Sequence, residues 1–436
     1  MSANVQVIID ADIKLVTVPA RPMPGNTADA KAWWESGLAL HREGVTVLAD
    51  GACIARGPPG GPDPSARVVS WDPYDTTGGR TFYGGGDRGR TGRPGPRRGP
   101  LVSAPSSQRP DARSGADKDD RMRAVLHGPQ GLHLGDVPEP RPRDDEALVA
   151  VAAVSLNFRE VADRPASAPG GGVPGWDAAG TVVRGAADGS GPPAGSRVVT
   201  FGWEGAWAEL RAVGTANLAV VPEAVGLGAA TALPVAGVTA LQAVRGLGSV
   251  LGRRVLVTGA AGGVGRFAVQ LAALAGAHVI ASVGAESRAE GLRELGAHEI
   301  VLGPGALSEP VFGVLDHVGG DQLAEAFLRL APGGVLQAVG RAAGLPTTLD
   351  FEAAGEASPG GRLQNFSVTA PFGADLTVLL RLLESGRLTS PIGWRGPWDQ
   401  AESAAAALLS RRVHGKVVLD VPGSDRWMTE PGGATS

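Results

Sequence analysis

The chain has 436 residues, 43% of them apolar, and a formal net charge of −4. That is room for two or three domains in a mildly acidic protein with no overall bias toward nucleic acid or anionic membranes. No run of about 18 uncharged apolar residues occurs, and the first thirty residues lack a basic start followed by an apolar stretch, so neither a transmembrane helix nor a secretory leader is expected and a reducing cytoplasm is the default setting. The single cysteine, Cys53, excludes internal disulfides and any multi-cysteine zinc site.

Val5, Val7 and Ile9 alternate, residues 31–42 read as a short helix and 45–48 as another strand, with no function attached to any of them. From Gly57 to Asp120 the composition turns to glycine, proline, serine and arginine. Such a segment buries too little apolar surface to offset chain entropy, so residues 1–121 are expected to be a largely disordered N-terminal extension. Arginines at 80, 88, 90, 93, 97 and 98, with Phe82 and Tyr83 nearby, could bind single-stranded RNA through phosphate contacts and stacking. The competing reading is a solvated linker, or a segment upstream of the true start, since Met122 opens a globular pattern. The signal is compositional, which favours the linker and a protein that does not bind nucleic acid.

From Met122, strands are expected at 123–127, 131–140, 147–156, 180–183, 196–200 and 206–212, separated by turn residues, which makes a compact β-rich domain. A helix over 231–247 leads into RRVLVTGAAGGVGRFAVQLAALAG at 253–276. Val255, Leu256 and Val257 read as a buried strand, Gly259, Gly262, Gly263 and Gly265 as a turn too tight for side chains, and Val264, Phe267, Ala268, Leu271 and Ala275 as one face of a helix. A glycine turn between a strand and a helix start can hold a pyrophosphate on its backbone N–H groups. Strands within HVIASV, EIVLG, FGVLDHVGG and GVLQAVG follow, alternating with helices or short connections, as in a doubly wound parallel sheet. Helices over 376–384 and 400–409 precede a last strand, HGKVVLDV at 414–421, expected to return to the first domain.

SLNFREV (155–161), VPGWDAAGTVV (173–183), LPVAGVTALQAV (233–244), VLVTGAAGGVGRFAVQLA (255–272), LRELGA (292–297) and GKVVL (415–419), in this order, resemble the medium-chain dehydrogenase/reductases. Within them the chain looks most like zinc-independent quinone oxidoreductases and enoyl reductase domains. The resemblance implies an α/β protein in which a Rossmann domain (236–371) is inserted into a GroES-like catalytic domain (122–235 with 372–421), followed by a disordered tail (422–436), with homodimers common among relatives. It also implies an NAD(P)H-dependent oxidoreductase acting on a quinone or on the carbon–carbon double bond of an enone. An alcohol dehydrogenase or carbonyl reductase is the enzymatic rival, and a weakly catalytic nucleotide-binding protein with an RNA-binding arm is the non-enzymatic one.

A dinucleotide site that prefers NAD usually places a carboxylate at the end of the second strand. Here that strand ends in Ser282, Val283 and Gly284, and Arg288 follows where relatives resemble it in meeting the 2′-phosphate, so the expected cofactor is NADPH rather than NADH. By the family's pattern Ala261, Gly262, Gly263 and Val264 line the pyrophosphate, while Thr239, Val318 and Gly340 lie nearer the nicotinamide or its ribose; Phe366 is read as core.

The zinc-dependent branch holds its catalytic metal through an early cysteine and a His-Glu pair. Asn157 stands at the cysteine's place and Trp176 and Asp177 at the pair's, so no zinc site is expected. Charge developing on the substrate oxygen must then be met by hydrogen-bond donors. The resemblance points to Asn157, to orient substrate or cofactor, and to Arg159, whose other reading is an ion pair with Glu160 or Asp163. Relatives resemble one another in a tyrosine after the Asn-Phe motif, but this chain has only Tyr74 and Tyr83. Water or His317 is left as the proton source.

Overall fold

The computed structural model describes residues 121–162 and 172–428, together with four short strands nearer the N-terminus. The chain divides into two compact units, 1–108 and 109–436. In the first, β1 (Gln6–Ile9) pairs antiparallel with β2 (Leu15–Val18), and β3 (Leu48–Ala49) with β4 (Cys53–Ile54). The expected helix over 31–42 and the arginine-glycine stretch lie outside the described residues, as does the loop at 163–171.

The second unit holds two large sheets. A hairpin of β5 (Arg121–Gly128) and β6 (Gly131–Pro138) leads into β7 (Glu146–Leu156), whose EALVAVAAVSL is buried along nearly its whole length. An uninterrupted Val/Ala/Leu run suits a strand covered on both faces, and β7 is central. After the single-turn helix α1 (Phe158–Ala162) come β8 (Asp177–Arg184), β9 (Arg197–Phe201), β10 (Leu210–Gly214) and β11 (Leu218–Val220). Helices α2 (Leu227–Ala230) and α3 (Pro234–Gly246) then cross to the parallel sheet.

That sheet contains β12 (Arg254–Val257), β13 (His278–Val283), β14 (Glu299–Leu302), β15 (Val311–Asp316), β16 (Leu330–Ala338) and β17 (Arg362–Asn365) in the order β14-β13-β12-β15-β16-β17, every pair parallel. Helices α4 (Gly263–Leu274), α5 (Gly320–Phe327) and α6 (Phe351–Ala357) lie in its connections. Strand order reverses beside β12, which places a ligand crevice at the carboxyl end of that strand. LRELGA is not helical: Gly291 before it and Gly296 within it, at φ +73° and +105°, take left-handed conformations that end helical turns.

The chain returns through α7 (Gly373–Glu384), β18 (Ile392–Pro397), α8 (Ala401–Leu409) and β19 (Lys416–Asp420). β19 enters the mixed sheet, ordered β11-β9-β8-β7-β19-β18 with β10 also on β7. This is the expected architecture, a Rossmann-like sheet within a GroES-like one. β18, with IGWRGP, has glycine and proline where a strand signal would be sought; its parallel pairing with β19 makes it a strand. β10 starts four residues later than expected, because Ala206 and Trp207 donate instead to the carbonyls of Gly175 and Pro174. Ser424–Met428 forms a 3-10 turn where a disordered tail was expected, since Trp427 packs on the Met122/Ala124 cluster and Arg426 pairs with Glu209.

Candidate active site

Three strand ends meet in the mixed sheet. β7 runs antiparallel to both β8 and β19, with Ser155 opposite Asp177 and Leu156 opposite Val417, so Asn157 leaves the sheet where Asp177 and Lys416 enter it. The Lys416 ammonium is buried and donates to Asn157 Oδ1 at 2.5 Å, to Asp177 Oδ2 at 3.2 Å and to the Leu156 carbonyl at 3.4 Å. Asn157 Nδ2 donates in turn to Asp177 Oδ2 at 3.0 Å and to Glu160 Oε2 at 2.9 Å. Glu160 also accepts from the backbone N–H groups of Asn157 and Trp176, both at 2.6 Å, and Asp177 Oδ1 from that of Val235 at 3.0 Å.

Burial, and then the neighbouring Asp177, push the Glu160 carboxyl up to about 8 against the pull of Lys416 and the Asn157 donors. Arg211, 1% exposed, lies behind these groups and donates to Thr200 Oγ1 at 2.7 Å and to the carbonyls of Trp176 and Glu204 at 3.0 and 2.9 Å. Desolvation pulls its guanidinium down to about 10, although Asp177, Glu160 and Glu204 oppose that. Two carboxyl groups thus face two cations in the interior, an arrangement stable only while every member is paired.

Trp176 covers this floor. Its ring meets Trp203 edge-on at 5.2 Å, and Trp203 stands 5.2 Å from Phe201, which stacks on Phe372 at 4.0 Å. Arg159 is half-buried on α1, and Asp163, its alternative partner, lies outside the described residues.

Across the crevice the glycine turn follows β12. Gly259 has φ +59°, and a Cβ on Gly265 would lie 2.4 Å from the Gly259 carbonyl oxygen, so only glycine permits this approach of helix to strand. α4 begins at Gly263 without a side-chain cap, its first N–H groups directed to the crevice end, with Ala261 buried and Gly262, Gly263 and Val264 half-buried around it. The catalytic and nucleotide-binding sheets are joined at this point, since Gly415 donates to the Ala261 carbonyl at 3.0 Å.

Ser282 ends β13 beside the turn, its carbonyl accepting from Ala260 at 3.1 Å. His317, Val318 and Gly340 gather at the ends of β15 and β16: a Cβ on Gly259 would meet Val318 at 3.2 Å, and one on Gly340 the His317 carbonyl at 2.6 Å. Thr258 donates to Asp316 Oδ1 at 2.6 Å, and His317 Nδ1 is 2.8 Å from the Thr258 carbonyl. A carbonyl can only accept, so Nδ1 carries the proton and Nε2 is an acceptor; burial lowers the pKa and keeps the ring neutral. The side chains of Ser282 and His317 each present a buried polar atom, Oγ and Nε2, without a partner among the described residues. These orphans flank the glycine turn, and together with the turn's cradle they fit a dinucleotide. Thr239 is buried on α3 and Phe366 packs partly buried against the core.

A cluster of cations lies past the end of β13. Arg288 donates to the carbonyl of Arg411, which sits at φ +58° and reaches the Ala342 carbonyl at 2.7 Å. Desolvation first, and then Arg411, lowers the Arg288 pKa; Arg266 and His414 are lowered likewise by burial and by neighbouring arginines. Mutual repulsion of this kind marks a place that favours an anion.

Lys416, Glu160 and Arg211 were missed as site residues by sequence reasoning. Lys416 lies 259 positions from Asn157, and only the antiparallel pairing of β19 with β7 could have revealed it. Among the described residues no group of three or more His, Cys, Asp or Glu could hold a metal ion, and no helix is long and apolar enough to cross a membrane. Asn157 and Asp177, the residues at the family's metal positions, both accept from Lys416 instead.

Residues 143–232 match the model of the alcohol dehydrogenase GroES-like domain, and 295–419 that of a zinc-binding dehydrogenase. The chain is 34% identical over 261 residues to acrylyl-CoA reductase AcuI of Ruegeria pomeroyi, a match covering 53% of this chain and 76% of that one. It is 39% identical over 194 residues to a chloroplast envelope quinone oxidoreductase homolog of Arabidopsis thaliana, covering 40% of this chain and 57% of the plant protein. A mycobacterial protein whose structure was solved with NADPH superposes with a TM-score of 0.60 at 27% identity, covering 69% of this chain and 99% of that one.

Proposed function

The chain belongs to the medium-chain dehydrogenase/reductase superfamily, in its quinone-oxidoreductase and enoyl-reductase-like branch, and from that premise we propose that it is an NADPH-dependent, zinc-independent reductase acting on a quinone or on the double bond of an enone. The observation that supports the cofactor assignment is the arginine cluster: Arg288, Arg266 and Arg411 crowd the place where an NAD site would offer a carboxylate, with Glu290 the one acidic group among the described residues acting on it. A 2′-phosphate relieves their repulsion, and a guanidinium grips it bidentately. Bound here, the nicotinamide supplies the hydride.

The chain's own residues bind, orient and exclude water. The turn from Gly259 to Gly265 and the start of α4 hold the pyrophosphate, the Ser282 hydroxyl and His317 Nε2 gain partners, and Val318, Gly340 and Thr239 border the nicotinamide end. Asn157 forms the floor on which acceptor and ring are oriented, with both amide N–H groups directed into the buried carboxylates. Arg159 meets charge developing on the acceptor oxygen, and Trp176 with Trp203 keeps water away. Since the His317 Nδ1–H is directed to the Thr258 carbonyl and burial lowers the ring's pKa, water is favoured over His317 as the proton source. Carbonyl reduction gains most from a Lewis acid, and the ligands for one are replaced here. The reading includes a homodimer acting on small molecules in the cytoplasm.

The test is turnover by the full chain with NADPH and NADH against a panel of quinones, enones and aldehydes. Oxidation of NADPH by a quinone or enone is the expected result; a hundredfold preference for NADH, or activity on aldehydes alone, overturns it.

A further inference from the structure

The orientation of the Asn157 amide is set from two sides, by a cation at its oxygen and by two carboxyl groups at its nitrogen. With Oδ1 toward Lys416 Nζ at 2.5 Å and Nδ2 toward Asp177 and Glu160 at 3.0 and 2.9 Å, every donor meets an acceptor. The flipped amide would set Nδ2 against the ammonium and Oδ1 against the Asp177 carboxylate, at a site where Asn157 is only 8% exposed. We propose that Lys416 is a positioning residue of the reductase, whose ammonium locks the Asn157 amide and so fixes the floor of the substrate pocket. The inference rests on the reductase reading given above.

Three observations carry it. Lys416 has three acceptors for its three N–H groups and is buried, so it has no second task in solvent. It cannot move independently of the cofactor turn, because a Cβ on Gly263 would lie 2.8 Å from Lys416 Cδ and the preceding residue, Gly415, donates to Ala261. Its removal would also leave Glu160 and Asp177 facing Arg211 alone, with Glu204 already drawn to that arginine. Asn157 Oδ1 would lose its donor, leaving the amide held from the Nδ2 side alone, and the Glu160 proton would be held more tightly.

The experiment compares the wild-type full chain with Lys416→Met, Lys416→Arg and the double variant Lys416→Met, Asp177→Asn, which leaves no unpaired partner of the broken ion pair. In Lys416→Met, kcat is expected to fall at least thirtyfold while the NADPH dissociation constant, read by cofactor fluorescence, stays within threefold. Lys416→Arg, which keeps the charge, recovers part of kcat. Selective labelling with 15N-asparagine gives a readout apart from activity: the Asn157 side-chain amide is expected to exchange slowly as a single pair in the wild type and to lose that protection in Lys416→Met or, should that variant not fold, in the double variant. A kcat within threefold of wild type, or an Asn157 amide that keeps its protection, overturns the proposal. Should the wild type oxidise no NADPH with any acceptor, the reductase reading fails, and the amide exchange alone then decides whether Lys416 positions Asn157.

Discussion

Replacing Glu160 by glutamine tests the electrostatics of the floor. A carboxyl that titrates near 8 in the fold and near 4.5 in the unfolded chain keeps its proton in the folded state over a window where the unfolded chain has lost it. The folded state therefore binds more protons between those two values, and the stability this group contributes is full below the unfolded value and lost as pH rises through about 8. The slope is at most about 1.4 kcal/mol per pH unit, with a total on the order of 5 kcal/mol as a ceiling, since Asp177 and Lys416 act on the carboxyl in opposite directions. Glutamine cannot ionise. It also turns an NH2 group toward one of the donors that Glu160 now accepts, from Asn157 and Trp176, an offset of about 1–3 kcal/mol that does not vary with pH. Urea denaturation of both proteins at half-unit steps from pH 5.5 to 8 reads the two effects separately. The wild-type midpoint should decline across the window relative to that of the variant, whose curve lies lower at acid pH and is flatter. Curves that run parallel throughout would refute the reasoning, because Glu160 would then be ionised in the folded state at every pH sampled.

Arg288→Ala is expected to lower kcat/KM for NADPH at least tenfold while changing that for NADH by less than threefold, as steady-state kinetics with both cofactors will show. Gly415→Ala places a methyl group 1.9 Å from the Pro391 carbonyl oxygen on a residue at φ +104°; the backbone conformation alone costs about 1–2 kcal/mol, so calorimetry should show a melting temperature lower by several degrees. Weaker NADPH binding is expected with it, because Gly415 anchors the Ala261 carbonyl. His317→Asn should leave the pH–rate profile unchanged near neutrality, since burial has already lowered the titration of His317 below its ordinary range; loss of an ionisation near pH 7 would restore it as the proton donor.

Much of this molecule was legible in the residues. The strand, glycine turn and helix from Arg253 to Gly276 declare themselves locally, because backbone conformation and apolar spacing are short-range properties. The resemblance extended that reading to the order of the domains and to Asn157, Ser282 and Arg288. One element whose signal conflicts with its setting was not anticipated: β18 carries glycine and proline yet pairs with β19.

The sequence by itself determined the kind of cofactor turn, the lack of a carboxylate after the second strand and the absence of zinc ligands at the family's positions, since each depends on which residues are present. Only the tertiary structure decided what occupies the metal's place. Lys416 reaches Asn157 because two antiparallel pairings bring three chain ends together, and charges that look ordinary along the sequence become a closed network when water is removed from around them. Likewise Arg288, which the resemblance singled out, has its surroundings set by the fold: Arg411, 123 positions further on, accepts from its guanidinium and lowers its pKa.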